Sequence, residues 1–520
     1  MLGTIFKFET KRWFKNWQFY LYFVLFFGLS FLIMASAIGY FDALTVTTSS
    51  NTVMNSPIAI NGLMGGITTF LNFIIPVVIG STVYRDFKYN THTLLYAYPF
   101  NKLQYLLGKF LSGFVVTFII TFSIGFGFLL ATILPFGNPD LLGPINLAAY
   151  FQSYLVFVLP NIFFMGAMIF MLTTLTRNQY IGFILIIILL IIPSIISSLT
   201  AKVDDKFVAA LLEPFGNEAL GYVVKYWTID EQNTLLIPLN DVIIYNRLIW
   251  IGVGILALTV TYFSFSFSHA PITLGRKRKA ERVTKNNFGS ILKIDLPKVS
   301  YNYSFISNLK TAVRLSKFEF ANIVKNWIFI VLMVILVLFI AISTLNLGEM
   351  YGTNTYPVTW KIIEMIRGNN SFFLSIIIYL FAGILLNNAA ASRMNLIIDS
   401  TAVPNWSLLL SKFIALVGMV CVVFLVGIVS GILSQIYLGY YNFEIDQYIA
   451  NFFGFQLIDY VIIILLSLFI QGFFRNYFIG FFVIVIITQL LSTALSKLGI
   501  EQNIFHFNSG AGYSYSDMDG

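Results

Sequence analysis

Charge is what this 520-residue chain has least of: only 10% of its residues are Asp, Glu, Lys or Arg, against about 25% in an ordinary soluble domain. A globular protein of this length needs a charged shell, so the deficit excludes a soluble fold. The 58% of hydrophobic residues must put their surplus surface against lipid. Cysteine is nearly absent. Cys421 stands alone inside an apolar run, which excludes an intramolecular disulfide and a thiolate zinc cluster; with no flanking base it reads as a packing residue rather than a nucleophile. The three histidines, His92, His269 and His506, are scattered, with neither an H-E-x-x-H motif nor a second ligand at helical spacing, so no metal site is legible. A phosphate cradle is missing too. Gly108-Lys109 is followed by Phe110 and has no upstream glycine in register, so no G-x-x-x-x-G-K-[ST] loop exists. The chain is not expected to be an enzyme by itself.

What the sequence has in abundance is apolar runs and interface-forming aromatics, 54 Phe, 28 Tyr and 7 Trp. A bilayer core of about 30 Å takes about 20 apolar residues per helix, and that ruler gives eleven spans: 18–40, 63–83, 105–135, 150–175, 179–199, 247–268, 327–347, 371–391, 408–438, 448–474 and 477–496. The third and ninth are long enough to tilt or to project beyond the hydrocarbon. The fold class is therefore an all-α polytopic membrane protein. The first run is too long for a signal peptide and lacks a small-residue cleavage site. Ahead of it, at about 100° per residue, Leu2, Ile5, Phe6, Trp13 and Trp17 share one side and Lys7, Lys11 and Lys15 the other. That pattern suits a helix lying on the membrane surface; the plainer alternative is a basic flank that only orients the first span.

Placing the N-terminus in the cytoplasm puts 24 of the 31 Lys and Arg in cytoplasmic segments: four before the first span, four in 84–109, Arg177, twelve in 269–326, Arg393 with Lys412, and Arg475. This is the bias that sets topology. The basic charge then needs anionic lipid headgroups as its partner, not nucleic acid, and the run Arg276-Lys277-Arg278-Lys279 reads as a stop-transfer and lipid-contact segment.

Self-similarity at fixed offsets divides the chain. Lys7-Phe8-Glu9 and Lys15-Asn16-Trp17 recur 310 residues later as Lys317-Phe318-Glu319 and Lys325-Asn326-Trp327. Lys109-Phe110 recurs as Lys412-Phe413, and Arg177-Asn178 through Gly182-Phe183 as Arg475-Asn476 through Gly480-Phe481. The expected organisation is a first repeat over 1–268, a basic cytoplasmic linker over 269–308 and a second repeat over 309–520. Each repeat opens with an amphipathic surface helix. Six spans separate equivalent points, so the repeats are parallel, related by an axis along the membrane normal. By this count the second repeat lacks its sixth span, and the natural chain is expected to continue beyond Gly520.

A basic surface helix followed by six spans, with a charged loop between the second and third, resembles the ABC-2 type permeases of ATP-binding-cassette transporters. The residues that carry the likeness are Tyr84-Arg85-Asp86-Phe87-Lys88-Tyr89-Asn90-Thr91 in the first repeat. In the second they are Ser392-Arg393-Met394, then Asp399 to Trp406 through Pro404, shorter by about five residues and without the acidic neighbour of the arginine. The two tandem copies are also similar to long bacterial permeases that continue into a zinc aminopeptidase domain. The resemblance implies a permease subunit of the bacterial cytoplasmic membrane, exporting an amphiphilic or peptidic substrate. ATP and Mg would be handled by a separate cytoplasmic ATPase, present as a pair. Arg85, Asp86, Lys88, Tyr89, Asn90, Thr91, Arg393, Asp399, Pro404 and Trp406 would then couple to the ATPase, the alternative being solvated loops that obey the charge bias. The surface helices, with Glu9 and Trp17 in one copy and Glu319 and Trp327 in the other, would act as levers. Their glutamates pair either with a basic residue of the transport core or with a neighbouring Lys or Arg on the same helix.

Polar residues inside spans are the remaining pointers, because a charge in hydrocarbon costs about 2.5 kcal/mol or more. Gln456, Asp459 and Gln471 form a stripe on the tenth span, and Asn161 is the counterpart of Asp459. They are expected to face the interface between the halves as a pathway, or to be interhelical hydrogen-bond glue. Two other functions compete with the permease: an ion-coupled secondary transporter, and a membrane anchor for an extracytoplasmic peptidase or assembly partner bound at the outside segment Ala201 to Asn246.

Overall fold

The computed structural model describes residues 1–40, 53–96, 98, 101–200, 206–267, 304–345, 349–350, 353–354, 356–392, 394–401, 403–474 and 476–497. Most of the basic linker and the C-terminal tail, like Arg393 and Arg475, lie outside the described residues.

The first half opens with α1 (Leu2–Phe14), which turns sharply into the first membrane helix, α2 (Trp17–Ala37). The second span is built from α3 (Pro57–Leu71), a 3-10 turn at Asn72–Ile74, a π turn at Pro76–Gly80 and α4 (Ser81–Lys88). A short α5 (His92–Leu95) leads into α6 (Lys102–Ile133), 32 residues without a break. The fourth span runs through α7 (Leu147–Gln152), a π turn at Ser153–Val158 and α8 (Leu159–Thr176), and α9 (Tyr180–Thr200) follows. Three short helices, α10 (Phe207–Leu212), α11 (Asn217–Val224) and α12 (Ile229–Thr234), make a cap before α13 (Asp241–Ser264).

The second half repeats the order of long elements: α14 (Phe305–Val324), α15 (Trp327–Leu345), α16 (Thr359–Ala391), short α17 (Asn395–Asp399), α18 (Asn405–Tyr437), then α19 (Ile445–Ile449), a π turn at Ala450–Gln456 and α20 (Leu457–Phe473), and finally α21 (Tyr477–Lys497). A two-residue antiparallel ladder pairs Glu349 with Asn354. The protein is an all-α polytopic membrane protein. Among the described residues nine helices are long and apolar enough to cross a membrane, fewer than the eleven runs. The fifth and eleventh runs are the helices α9 and α21, and α9 carries Pro193 inside it, with its shorter apolar stretch at Tyr180–Pro193.

Two starts differ from the hydropathy reading. The second span begins at Pro57 rather than 63, because Ser56 caps it, its side chain accepting from the Ala59 amide at 3.3 Å, and proline at the first helical position fixes φ. The eighth begins at Thr359 rather than 371. Its first turns carry Lys361 and Glu364, paired at 2.8 Å on one face, and charge of that kind hides a helix from a hydropathy ruler.

One continuous apolar core joins the halves. In the first half α2 lies along α6, close enough that a Cβ on Gly127 would sit 2.6 Å from the Phe27 carbonyl oxygen. In the second, α15 and α14 lie on α18. Between the halves α15 packs on α9, and Tyr22 of α2 meets Phe482 of α21 edge-on at 5.5 Å. At their junction Tyr180 stacks on Tyr477 at 6.0 Å and Phe183 on Phe478 at 5.1 Å. A second, smaller core of Phe157, Ala210, Ala219, Leu220, Ile237 and Ile243 holds the cap.

Candidate functional site

The asparagines of the recurring motifs begin helices. Asn16, Asn178, Asn326 and Asn476 each accept, through Oδ1, the backbone N–H two residues on, at 3.0 to 3.1 Å. Each thereby satisfies one of the orphan donors of a helix start. This cap sets the turn between α1 and α2, and it means that Trp17 and Trp327 open membrane helices instead of closing the surface helices.

Along α1, Ile5, Glu9 and Trp13 share one face at four-residue spacing. Glu9 and Trp13 are its buried residues. The face descends on Gly108 of α6, where an added Cβ would lie 3.0 Å from the Ile5 side chain. That close approach brings the Glu9 carboxylate between two cations. Its Oε1 lies 2.5 Å from Lys109 Nζ and its Oε2 lies 3.1 Å from an Arg85 guanidinium nitrogen. Lys109 also meets Asp86 at 2.9 Å and donates to the Thr82 carbonyl at 3.1 Å, and Tyr105, one turn earlier on α6, donates to Asp86 at 2.7 Å. The Arg85 guanidinium lies over the Trp13 ring. Two anions and two cations balance inside a site whose side chains are 1% exposed for Glu9 and 4% for Lys109. Complete pairing is what makes such burial affordable.

Aromatic rings close the site. Tyr105 stacks on Phe265 at 5.9 Å, and Tyr96 meets Phe267 at 4.5 Å. Burial pushes the Tyr96 hydroxyl up to about 12, so the phenol stays neutral. Arg177, which ends α8 in the left-handed conformation, lays its guanidinium over Phe87 at 4.1 Å. The α4–α5 loop is thus fastened to α1, α6 and α8 together. The arrangement ties three elements together through paired charge and stacked rings.

In the second half Glu319 of α14 meets Lys412 of α18 at 2.9 Å, each side chain 16% exposed. The other Glu319 oxygen is buried without a hydrogen-bond partner. Trp406 stacks on Phe305 at 5.2 Å and Ser407 donates to the Asn308 carbonyl at 2.9 Å, so the start of α18 also braces the surface helix. Of the two partners open to these glutamates, the geometry gives each a lysine of a long membrane helix.

The loop residues divide. Arg85 and Asp86 turn inward, a correction to their expected place as surface contacts, because their charges are consumed by Glu9, Lys109 and Tyr105. Lys88, Tyr89, Asn90 and Thr91 are exposed, and so is Leu94 of α5. In the second half Asp399 is exposed and α17 presents Leu396 and Ile397, while Pro404 is half-buried and Trp406 is partly covered by Phe305. Arg393 lies outside the described residues.

The stripe residues do not meet at a common interface. Asn161 donates to the Phe215 carbonyl at 3.2 Å and accepts from Arg247 at 2.8 Å, both within the first half. Asp459 has Arg367 of α16 as its charged neighbour, within the second. Gln471 donates to the Tyr379 and Tyr477 carbonyls, and Gln456 is buried without a partner. The positions matched at the 298-residue offset have different environments, because Asn161 has Arg247 of α13 to bind. Tyr105 and the buried group of Asn246, Arg247 and Glu213 were not legible in advance. For Tyr105, Asn246 and Arg247 the signal is a polar residue in the first turns of a long apolar run; Glu213, at the end of α10, carries none.

Residues 315–491 match the family model described as ABC-2 family transporter protein. None of the curated proteins matches the chain.

Proposed function

We propose, from the premise that residues 315–491 are an ABC-2 family transporter membrane domain, that both halves of the chain are permease units and that together they move a substrate across a bacterial cytoplasmic membrane. In this reading the two halves are parallel repeats with the N-terminus in the cytoplasm. A separate pair of cytoplasmic ATPase subunits binds ATP and Mg, and export is the direction. The observation that carries the reading is the joint at Glu9. A surface helix bound through buried charges to both the loop and a 32-residue membrane helix is a means of turning loop displacement into helix movement. The ATPase would contact what the loops leave exposed: Lys88, Tyr89 and Leu94 in the first half, Leu396, Ile397 and Asp399 in the second. Arg85 and Asp86 would transmit, not touch.

The test is purification of the full chain, tagged at its N-terminus, from its native membrane, with mass spectrometry of what accompanies it. A nucleotide-binding ATPase recovered in stoichiometric amount is the expected result, and Leu94→Asp with Leu396→Asp should release it. Recovery of the chain with no ATPase would overturn the reading.

A further inference from the structure

We infer that the two halves are coupled unequally: the first-half loop moves together with its surface helix and α6, whereas the second-half loop, residues 394–401, is slack and moves without carrying α14 or α18. The inference deepens the transporter reading and rests on it only for the source of the displacement.

In the first half the loop is held at several points. Arg85 is bound by Glu9 of α1, and Asp86 by Lys109 and Tyr105 of α6. Phe87 and Tyr96 pack against the apolar core, and Arg177 covers Phe87. The repeat shows which of these attachments survive in the second half. At the 308-residue offset that relates Arg85 to Arg393, Asp86 and Phe87 fall on Met394 and Asn395; at the 303-residue offset that relates Lys109 to Lys412, Tyr105 falls on Leu408. Trp13 falls on Ile323 at the 310-residue offset of the surface helices, and Tyr96 falls on Pro404 or Asp399 by the two loop offsets. The acid, the phenols and the indole are all lost. What remains is the glutamate and the lysine.

That remainder joins α14 to α18 and leaves the loop out. Glu319 meets Lys412, its other oxygen is buried without a hydrogen-bond partner, and the second brace, Phe305 on Trp406 with Ser407 on the Asn308 carbonyl, again links α14 to the start of α18. Residues 394–401 contain no aromatic ring and no cation. Among the described residues their hydrogen bonds stay within 389–401, Asp399 makes no ion pair, and none of the eight joins the apolar core. No residue of α17 is buried. A segment with local hydrogen bonds and no buried side chain belongs to the least stable part of a fold, so displacement of this loop is absorbed where it enters. In the first half the same displacement has to move paired charges that lie out of water, and the elements that bear them follow.

The test is hydrogen exchange by mass spectrometry, corrected for intrinsic rates, on the full chain in lipid nanodiscs without any ATPase. Residues 84–92 should be at least about tenfold better protected than residues 394–401. Glu9→Gln should lower protection about tenfold or more over 84–92 and α1 together. Tyr105→Phe, which removes one hydrogen bond and leaves the charges balanced, should lower it over 84–92 by about tenfold and keeps the test open if Glu9→Gln fails to fold. Glu319→Gln should loosen α14 and leave 394–401 unchanged. Exchange in α20 should stay constant in Tyr105→Phe and Glu319→Gln. Equal protection of the two loops, exchange in 394–401 that rises with Glu319→Gln, or a Tyr105→Phe loss shared by α20 would overturn the inference. A chain with the expected pattern that co-purifies with no ATPase loses the transporter reading and keeps the unequal joints; one that recruits an ATPase while both loops are equally protected does the reverse.

Discussion

Replacing Glu9 by Gln removes one charge from a balanced set of four. The carboxylate is 1% exposed and its partners Lys109 and Arg85 are 4% and 15% exposed, so water does little to screen what remains. At an effective dielectric of about 20, two unit charges about 3 Å apart attract by about 5–6 kcal/mol, a gross figure that offsets their desolvation. Breaking such a pair from one side strands the partner and costs about 3–5 kcal/mol. Lys109→Met alone strands the opposite sign at similar cost. The double variant keeps Arg85 and Asp86, a neutral remainder, so its loss should fall short of the sum of the two singles by about 1–3 kcal/mol. In the second half Glu319→Gln should cost about 1 kcal/mol, since that pair is partly open to water. The assay is reversible unfolding in mixed micelles of rising SDS fraction, followed by tryptophan emission. Additive losses for Glu9→Gln and Lys109→Met, or equal losses for Glu9→Gln and Glu319→Gln, would refute a closed electrostatic joint in the first half.

Two further outcomes follow from the structure. Asn16→Ala and Asn326→Ala each remove a helix cap, and each should cost about 1 kcal/mol in the same titration, while Asn16→Asp, which keeps the acceptor, should cost less than half of that. Burial raises the Glu213 carboxyl above the ordinary glutamate value of 4.5, over the opposing pull of the Phe215, Asn217 and Glu218 amides and of Arg247. A folded-state value above the unfolded one means the folded cap holds the proton more tightly. Its contribution is therefore greatest below about pH 4.5 and declines as pH rises to the elevated value, staying flat above it. Hydrogen exchange in residues 206–240, corrected for intrinsic rates, should show protection falling with pH in that window; Glu213→Gln should flatten the profile, and protection that rises with pH would contradict the assignment.

The membrane helices were legible because a bilayer imposes a length and an apolarity that local sequence must meet. Their ends were less so. Thr359 to Asn370 is helical while carrying Lys361, Glu364 and Arg367, and hydropathy cannot distinguish a charged helical extension from a loop. The joint was half legible. Glu9 stands out as an acid on an apolar face, yet its partners are 76 and 100 residues away, and nothing local names them. Arg85 and Asp86 were visible as charges, but only tertiary structure shows that they face inward. The recurring asparagines were found as a pattern before they had a role, and capping supplies the role. The buried Oδ1 atoms of Asn61 and Asn72, which have no hydrogen-bond partner, carry no sequence signal, since an asparagine in a membrane helix is ordinarily interhelical glue.

The two elements fastened at the joint differ in stiffness, and the difference decides where movement would go. α6 is 32 residues of unbroken helix, about 48 Å long against a hydrocarbon core of about 30 Å. Lys109 lies seven residues from its start, within the excess, where a charge network can form without crossing the middle of the bilayer. Under the transporter reading, a displacement of α1 would act on α6 as on a rod. The second span cannot follow rigidly. Between Asn72 and Gly80 it passes through a 3-10 turn and a π turn, where backbone hydrogen bonding changes register and bending is easiest. Under the transporter reading, force entering at Arg85 and Asp86 would move α6 as a unit through Lys109 and would bend the second span at that distortion. The loop and the outer part of the second span are then joined through one bendable segment, Asn72 to Gly80, while α6 moves as a unit.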